Sequence, residues 1–213
     1  MRLLEEYKPG RNLYTNVRSR STSEPKTAGG YRWATGNLVR DANGGRTMRR
    51  SKVTNEDELR WAEHSHGEKF GYKRKYLSSA ASGEKLGCSL YEVPPGRRAW
   101  PYHYHGANEE AIYVLEGSGT LRVGEEKVPL SKGDYAVFPA GAEEGAHQLV
   151  NTSDEPLRYL CFSTMIEPDA IVYPDSSKIG VVVGAAPGGP KEKRTLSGLF
   201  RQEDGVDYYE GEG

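Results

Sequence analysis

Five histidines occur in the 213-residue sequence, and three of them stand in stretches whose alternation can bring them together. In WPYHYH, residues 100–105, His103 and His105 are two apart. In an extended strand both imidazoles project from one face, and Tyr102 and Tyr104 project from the other. In EAIYVLEG, residues 110–117, the same period puts Glu110, Ile112 and Val114 on one face and Ala111, Tyr113 and Leu115 on the opposite one. HQLVN, residues 147–151, aligns His147, Leu149 and Asn151. A carboxylate at the head of an apolar face is costly unless something pairs with it. If these strands are neighbours, three imidazoles and Glu110 meet, a set suited to a borderline divalent ion with positions left for water or substrate. The competing reading is a polar core cluster that holds no metal. His64 and His66, in WAEHSHGEK, have charged neighbours and read as exposed loop histidines.

The elements that must position these groups are short. From about Phe70 to Thr164 the chain breaks into β-type runs: GYKRKYL, GCSLYEV, AWPYHYH, AIYVLEG, GTLRVG, YAVFPA, HQLVN and LRYLCFS. Turn signals such as PPG, EGSG, SKGD and NTSDEP separate them. Runs of this length and spacing indicate an all-β barrel or sandwich. Ahead of them, Thr54 and the acids that follow suggest an N-capped helix over residues 57–64. Behind them, residues 167–184 hold two more strands, and a Gly/Pro loop leads to a tail whose Leu199, Phe200, Tyr208 and Tyr209 call for docking. This divides the chain into an N-terminal arm (1–50), a short helix with a leading strand (51–85), the β core (86–165) and C-terminal strands with the tail (166–213).

The formal charge of −1 conceals a division, since residues 1–50 carry a net +7 and residues 51–190 a net −6. The arm's basic residues are scattered among Tyr7, Tyr14, Tyr31 and Trp33. This favours contact with the acidic body or a partner subunit over nucleic acid or an anionic membrane. The low mean hydropathy, −0.74, and the lack of a long apolar run or an apolar leader predict a cytoplasmic protein with no membrane partner. Cys88 and Cys161 are the only cysteines, too far apart for a metal knuckle, and read as small core residues.

The residues around the histidines resemble the cupin superfamily. Its first motif, G, five residues, HxH, three or four residues, E, six residues, G, is met by Gly96, His103, His105, Glu110 and Gly117, with six residues after Gly96 rather than five. Its second, G, five residues, PxG, two residues, H, three residues, N, is met by Gly133, Pro139, Gly141, His147 and Asn151, with five residues (AEEGA) before the histidine. The resemblance covers about residues 86–164. It implies a double-stranded β-helix, the cupin jelly-roll barrel, with His103, His105, Glu110 and His147 as ligands of one divalent transition metal ion: Fe, Mn, Ni or Zn. It also implies a homodimer. YPDSSKIGV (173–181) and DYYEGE (207–212) resemble a single-domain bacterial cupin group loosely labelled sugar-phosphate isomerase-like.

Such a site polarises a carbonyl or hydroxyl as a Lewis acid, or with iron binds oxygen beside a chelating substrate. The leading expectation is an isomerase acting on a small, oxygen-rich, anionic molecule such as a sugar or sugar phosphate. A non-haem iron dioxygenase or decarboxylase and a non-catalytic small-ligand-binding cupin are the alternatives. Arg97 and Arg98, just before the ligand strand, and Glu143, in the added loop before His147, are candidate substrate contacts; solvated surface residues are the plainer account of all three. Tyr102, Tyr104, Glu92 and Glu143 are the candidate proton carriers, although alternation turns both tyrosines away.

Overall fold

The computed structural model describes residues 38–40, 46–48 and 52–213. The basic arm and its expected wrapping on the body lie outside these residues, apart from a small antiparallel pair, β1 (Leu38–Arg40) and β2 (Arg46–Met48). The remaining strands are β3 (Ala62–His66), β4 (Phe70–Tyr76), β5 (Gly87–Val93), β6 (Tyr104–His105), β7 (Glu110–Glu116), β8 (Ser118–Val123), β9 (Glu126–Ser131), β10 (Tyr135–Phe138), β11 (His147–Val150), β12 (Leu157–Ser163), β13 (Asp169–Tyr173), β14 (Lys178–Val183) and β15 (Leu196–Arg201). The one α-helical turn among the described residues, α1 (Leu77–Ala80), follows β4.

Two layers enclose the core. One is a six-stranded antiparallel sheet in the order β10-β7-β12-β5-β4-β3. The other is assembled from the sheets β11-β8-β9 and β15-β14-β13-β6, which meet at residues 98–105. Isolated antiparallel bridges Arg98↔Val150 and His103↔His147 form the seam between them. The inner faces hold Tyr91, Val93, Ile112, Val114, Leu121, Phe138, Leu157 and Tyr159, all buried. Tyr91 and Tyr159 stack at 5.1 Å between ring centroids in the middle of this layer. Along residues 110–115 Ile112 and Val114 are buried in the core and Tyr113 is exposed, as alternation requires, while Ala111, expected beside Tyr113, is buried too.

The turns behave as their glycines require. Gly117 has φ 78° and sits so close to the next connection that a Cβ would lie 2.5 Å from the Pro156 carbonyl oxygen. Gly141, at φ 92°, donates its N–H to the His105 carbonyl at 2.9 Å, locking the Pro139–Gly141 turn onto the histidine strand.

Several local expectations are corrected. Residues 57–64 do not form a helix. Asn55, not Thr54, caps a single 3₁₀ turn at Glu56–Glu58, and Ala62–His66 pairs with β4 in the register Ala62↔Arg74 to His66↔Phe70. Pairing with a long strand outweighs a local capping preference. His64 and His66 are thus strand residues, exposed as expected, with His64 stacked on Tyr72. AWPYHYH is ordered by bridges rather than as one long strand, with regular pairing only at Tyr104–His105. EKVPLS forms β9 despite Pro129, because it is an edge strand and proline's missing N–H can face outward. In the tail, β15 pairs its backbone with β14, but Leu199, Phe200, Tyr208 and Tyr209 stay exposed.

Candidate metal centre

Glu110 opens β7 and comes from the six-stranded sheet, while His103, His105 and His147 come from the seam of the opposite layer. The three Nε2 atoms lie 4.0, 3.6 and 3.6 Å from Glu110 Oε2, respectively. Ligand atoms of His103, His105 and Glu110 all fall within 4.8 Å of one another; His147 lies outside that tight group of three but stays within 3.6 Å of the carboxylate. His103 and His147 are held in register by reciprocal backbone hydrogen bonds of 3.2 and 2.9 Å, which fixes the approach of two imidazoles from adjacent backbone positions. Phe138 stacks on the His147 ring at 3.6 Å.

The decisive feature is where each Nδ1 goes. His103 donates to the Pro101 carbonyl at 2.9 Å, His147 to the Gly145 carbonyl at 2.9 Å, and His105 to the Asp169 carboxylate at 2.6 Å. All three partners are acceptors, so each ring carries its proton on Nδ1 and, when neutral, turns an Nε2 lone pair toward Glu110. With all three rings neutral, three lone pairs and a carboxylate converge on one point. That arrangement fits a divalent cation and fits poorly to a hydrogen-bonded polar core. A cavity of about 30 Å³ adjoins the cluster, bounded by Trp100, His103, Glu110, His147, Tyr159 and Cys161.

The electrostatics follow from crowding. Burial, with His147 alongside, pushes His103 down to about 3. Burial alone would raise Glu110, but the surrounding imidazoles outweigh it and hold the carboxyl at about 2. His105 is raised: burial opposes its charge, yet Asp169 and Glu110 together favour it more strongly.

The other candidate residues sit elsewhere. The Arg97 guanidinium lies on the hairpin carbonyls of Gly67 (2.9 Å) and Phe70 (3.3 Å). Arg98 donates to Gln148 at 3.3 Å, and Gln148 borders the small cavity beside His147. Glu143 is exposed in a 3₁₀ turn, Glu143–Gly145. The five residues between Gly141 and His147, three more than the motif has, orient the ligand strand, since their Gly145 carbonyl accepts from the His147 ring. Among the proton-carrier candidates, Glu92 pairs with Lys73 at 3.1 Å, and Tyr102 accepts the Gly124 N–H with Arg122 over its ring.

Two residues of the site were not foreseen, and both lie on β13. Asp169 is buried against His105. Tyr173 stacks over the His103 ring, with centroids 6.0 Å apart, and its hydroxyl has no hydrogen-bond partner among the described residues. Burial, with the charges of Asp169 and Glu110 nearby, raises the Tyr173 phenol. The signal was available: DAIVY repeats the pattern of EAIYV, an acid heading an apolar face, and period two puts Asp169, Ile171 and Tyr173 together.

Comparison with known proteins agrees with this architecture. The chain is 35% identical over 81 residues to an uncharacterized protein of Methanocaldococcus jannaschii, covering 38% of this chain and 62% of that one. It is 35% identical over 79 residues to quercetin 2,3-dioxygenase of Bacillus subtilis, covering 35% of this chain and 23% of that protein. The chain thus spans less than two thirds of either relative. A candidate sugar phosphate isomerase from Acidithiobacillus ferrooxidans has a similar structure, with a TM-score of 0.62 at 25% identity over 74% of this chain and 96% of that one. A sugar phosphate isomerase of the cupin superfamily from Silicibacter pomeroyi superposes with a TM-score of 0.60 at 21% identity over 71% and 94%. Residues 89–163, about a third of the chain, match the Cupin_2 family, a cupin domain.

Proposed function

We propose that this protein is a metal-dependent cupin acting on a small, oxygen-rich, anionic substrate, in the manner of an isomerase on a sugar or sugar phosphate. The observation that carries the reading is the convergence of three Nε2 atoms and one carboxylate, each imidazole already committed through its Nδ1 to an acceptor. In this reading His103, His105, Glu110 and His147 hold one divalent transition metal ion of the Fe, Mn, Ni or Zn class. When bound, such an ion supplies Lewis acidity to adjacent substrate oxygens.

The chain's own groups then have distinct tasks. Glu110 balances the charge of the site, and Phe138 fixes the His147 ring from its open face. Tyr173 is the group we assign to proton movement. Its ring stands over His103 on one hand and takes the Lys178 ammonium at 5.6 Å from its centroid on the other, and a raised phenol holds its proton until substrate accepts it. Arg98 keeps a supporting place through Gln148, whereas Arg97 and Glu143 are engaged or exposed away from the cluster. The similarity of nearly the whole Acidithiobacillus structure supports the isomerase reading. The Bacillus dioxygenase relative supports the alternative of oxygen chemistry with iron, over a much smaller share of that protein.

The test is turnover of aldose and ketose phosphates under anaerobic conditions by protein reconstituted with Mn, Zn or Ni. Interconversion without oxygen supports the isomerase. Activity only with Fe(II) and stoichiometric oxygen uptake replaces it with the dioxygenase. Ligand-induced melting shifts without product replace both with a binding protein.

We also propose a homodimer formed through the outer face of the six-stranded sheet. There Tyr113, Tyr135 and Val137 are exposed beside an apolar groove of about 510 Å³ that Leu77, Leu115 and Leu160 border. A light-scattering mass of one chain rules it out.

A further inference from the structure

The hairpin β13–β14 lies beyond the residues that match the cupin domain, yet its first side chain is built into the centre. Asp169 is 2% exposed. Its Oδ2 receives His105 Nδ1–H at 2.6 Å, and its Oδ1 receives the Ala107 N–H at 2.9 Å. One carboxylate thus grips both the ring of His105 and the backbone two residues on, so the imidazole cannot turn without breaking a charge-assisted bond. Backbone pairing reinforces the grip: Ile171 pairs with His105, and the Gly106 N–H donates to the Ala170 carbonyl at 2.7 Å.

The three imidazoles are therefore not equivalent. His103 and His147 donate to neutral carbonyls, but His105 donates to a carboxylate. An anionic acceptor on Nδ1 raises the electron density on Nε2 and removes the alternative tautomer, in which Nε2 would carry the proton and could bind no cation. Burial of Asp169 without such a partner would be costly, so the pair is held as a unit.

Resting on the metal-binding reading above, we propose that Asp169 is a positioning residue that locks His105 in the Nδ1–H tautomer with Nε2 aimed at Glu110, and thereby makes His105 the strongest imidazole donor of the site. The C-terminal hairpin is then part of the metal centre rather than an appendage to the barrel.

The experiment is Co(II) titration of the metal-free full-length chain against a competing chelator, for the parent, Asp169→Ala and Asp169→Asn, alongside long-range ¹H–¹⁵N correlation spectra of the histidine rings. Asp169→Ala is expected to weaken Co(II) binding by roughly 10–100-fold and to leave His105 as a mixture of tautomers. Asp169→Asn keeps the shape and an acceptor oxygen but not the charge; it retains the Nδ1–H tautomer and weakens binding by less, roughly tenfold. If Asp169→Ala does not fold, Asp169→Asn alone carries the test. Unchanged affinity in the variants that fold overturns the inference, even where they melt at a lower temperature, because a purely structural role lowers melting without selecting the metal. A parent protein that takes up no Co(II) overturns the metal-binding reading instead. In that event a His105 tautomer that is uniform in the parent and lost in Asp169→Ala still supports the lock.

Discussion

Glu110 and the three imidazoles reach the same point by different construction. Glu110 heads a regular strand hydrogen-bonded on both sides, with Phe138 and Ser163 as its cross-strand partners in β10 and β12. The imidazoles stand where two smaller sheets are joined by isolated bridges, and each ring is aimed by a single hydrogen bond to Pro101, Asp169 or Gly145. The carboxylate is thus set by sheet geometry and core packing, and the nitrogens by local polar contacts. Damage to the first layer should appear as lost stability, and damage at the seam as lost metal with the fold retained.

The largest effect tests the seam. His105→Ala removes one nitrogen of the tight group formed with His103 and Glu110, and it should abolish most metal uptake while leaving the β-sheet circular dichroism unchanged. Elemental analysis beside the parent measures this. Equal metal content in the two proteins removes the proposed ligand set. The opposite half of the comparison is tested by Leu157→Ala. Leu157 is fully buried in β12 against the core, and a cavity there should cost about 2–5 kcal/mol by denaturant unfolding. Metal content per folded molecule should stay near that of the parent.

The same division explains what could be read before the structure. The strands on either side of Glu110 and His147 are legible because burial of one face writes itself as alternation, and two of the four motif glycines, Gly117 and Gly133, mark turns at φ 78° and 95°. The donor atoms are legible for the same reason. What aims them is not, because the aiming groups at two of the three histidines are main-chain carbonyls, which carry no residue signature. The third, Asp169, is 64 residues away from His105, and only the pairing of β13 with β6 brings it there. The false helix at 57–64 has a related cause: a local cap does form, at Asn55 rather than the expected Thr54, with Asn55 accepting the Asp57 N–H at 3.0 Å, but the partner strand that overrides it is non-local.

Acid should sharpen the contrast in the metal-free protein. His103 is held at about 3 instead of its ordinary 6.5, so between those values the unfolded chain binds a proton that the folded chain refuses, and stability falls as pH drops. Glu110, at about 2 instead of 4.5, acts in the same direction in the lower window. His105, raised by Asp169 and Glu110 against its burial, acts oppositely: its contribution is complete below 6.5 and is lost as pH rises through its raised value. Urea midpoints measured from pH 7 to pH 4 should therefore decline toward acid. A midpoint that climbs toward pH 4 would mean that His103 is charged in the metal-free fold, so that metal binding there would have to displace a proton.

The smallest effect concerns how the hairpin that carries Asp169 and Tyr173 is fastened to the barrel. At its tip Asp175 pairs with Arg122 of β8 at 2.7 Å, and the same guanidinium lies 3.9 Å over the ring of Tyr102, which is buried beneath it. Asp175 itself is half exposed, so the ion pair alone should contribute about 0–1 kcal/mol. Asp175→Asn removes the ion pair and leaves the arginine on the tyrosine, whereas Arg122→Ala removes both. If the hairpin is fastened mainly by backbone pairing and by Asp169, as its register with β6 implies, Asp175→Asn should leave melting temperature and metal affinity within error of the parent. Arg122→Ala should then lower melting modestly through the uncovered Tyr102. A loss of metal affinity in Asp175→Asn would show instead that an exposed ion pair at the tip holds the site's orientation, and would move control of the seam from its buried carboxylate to the protein surface.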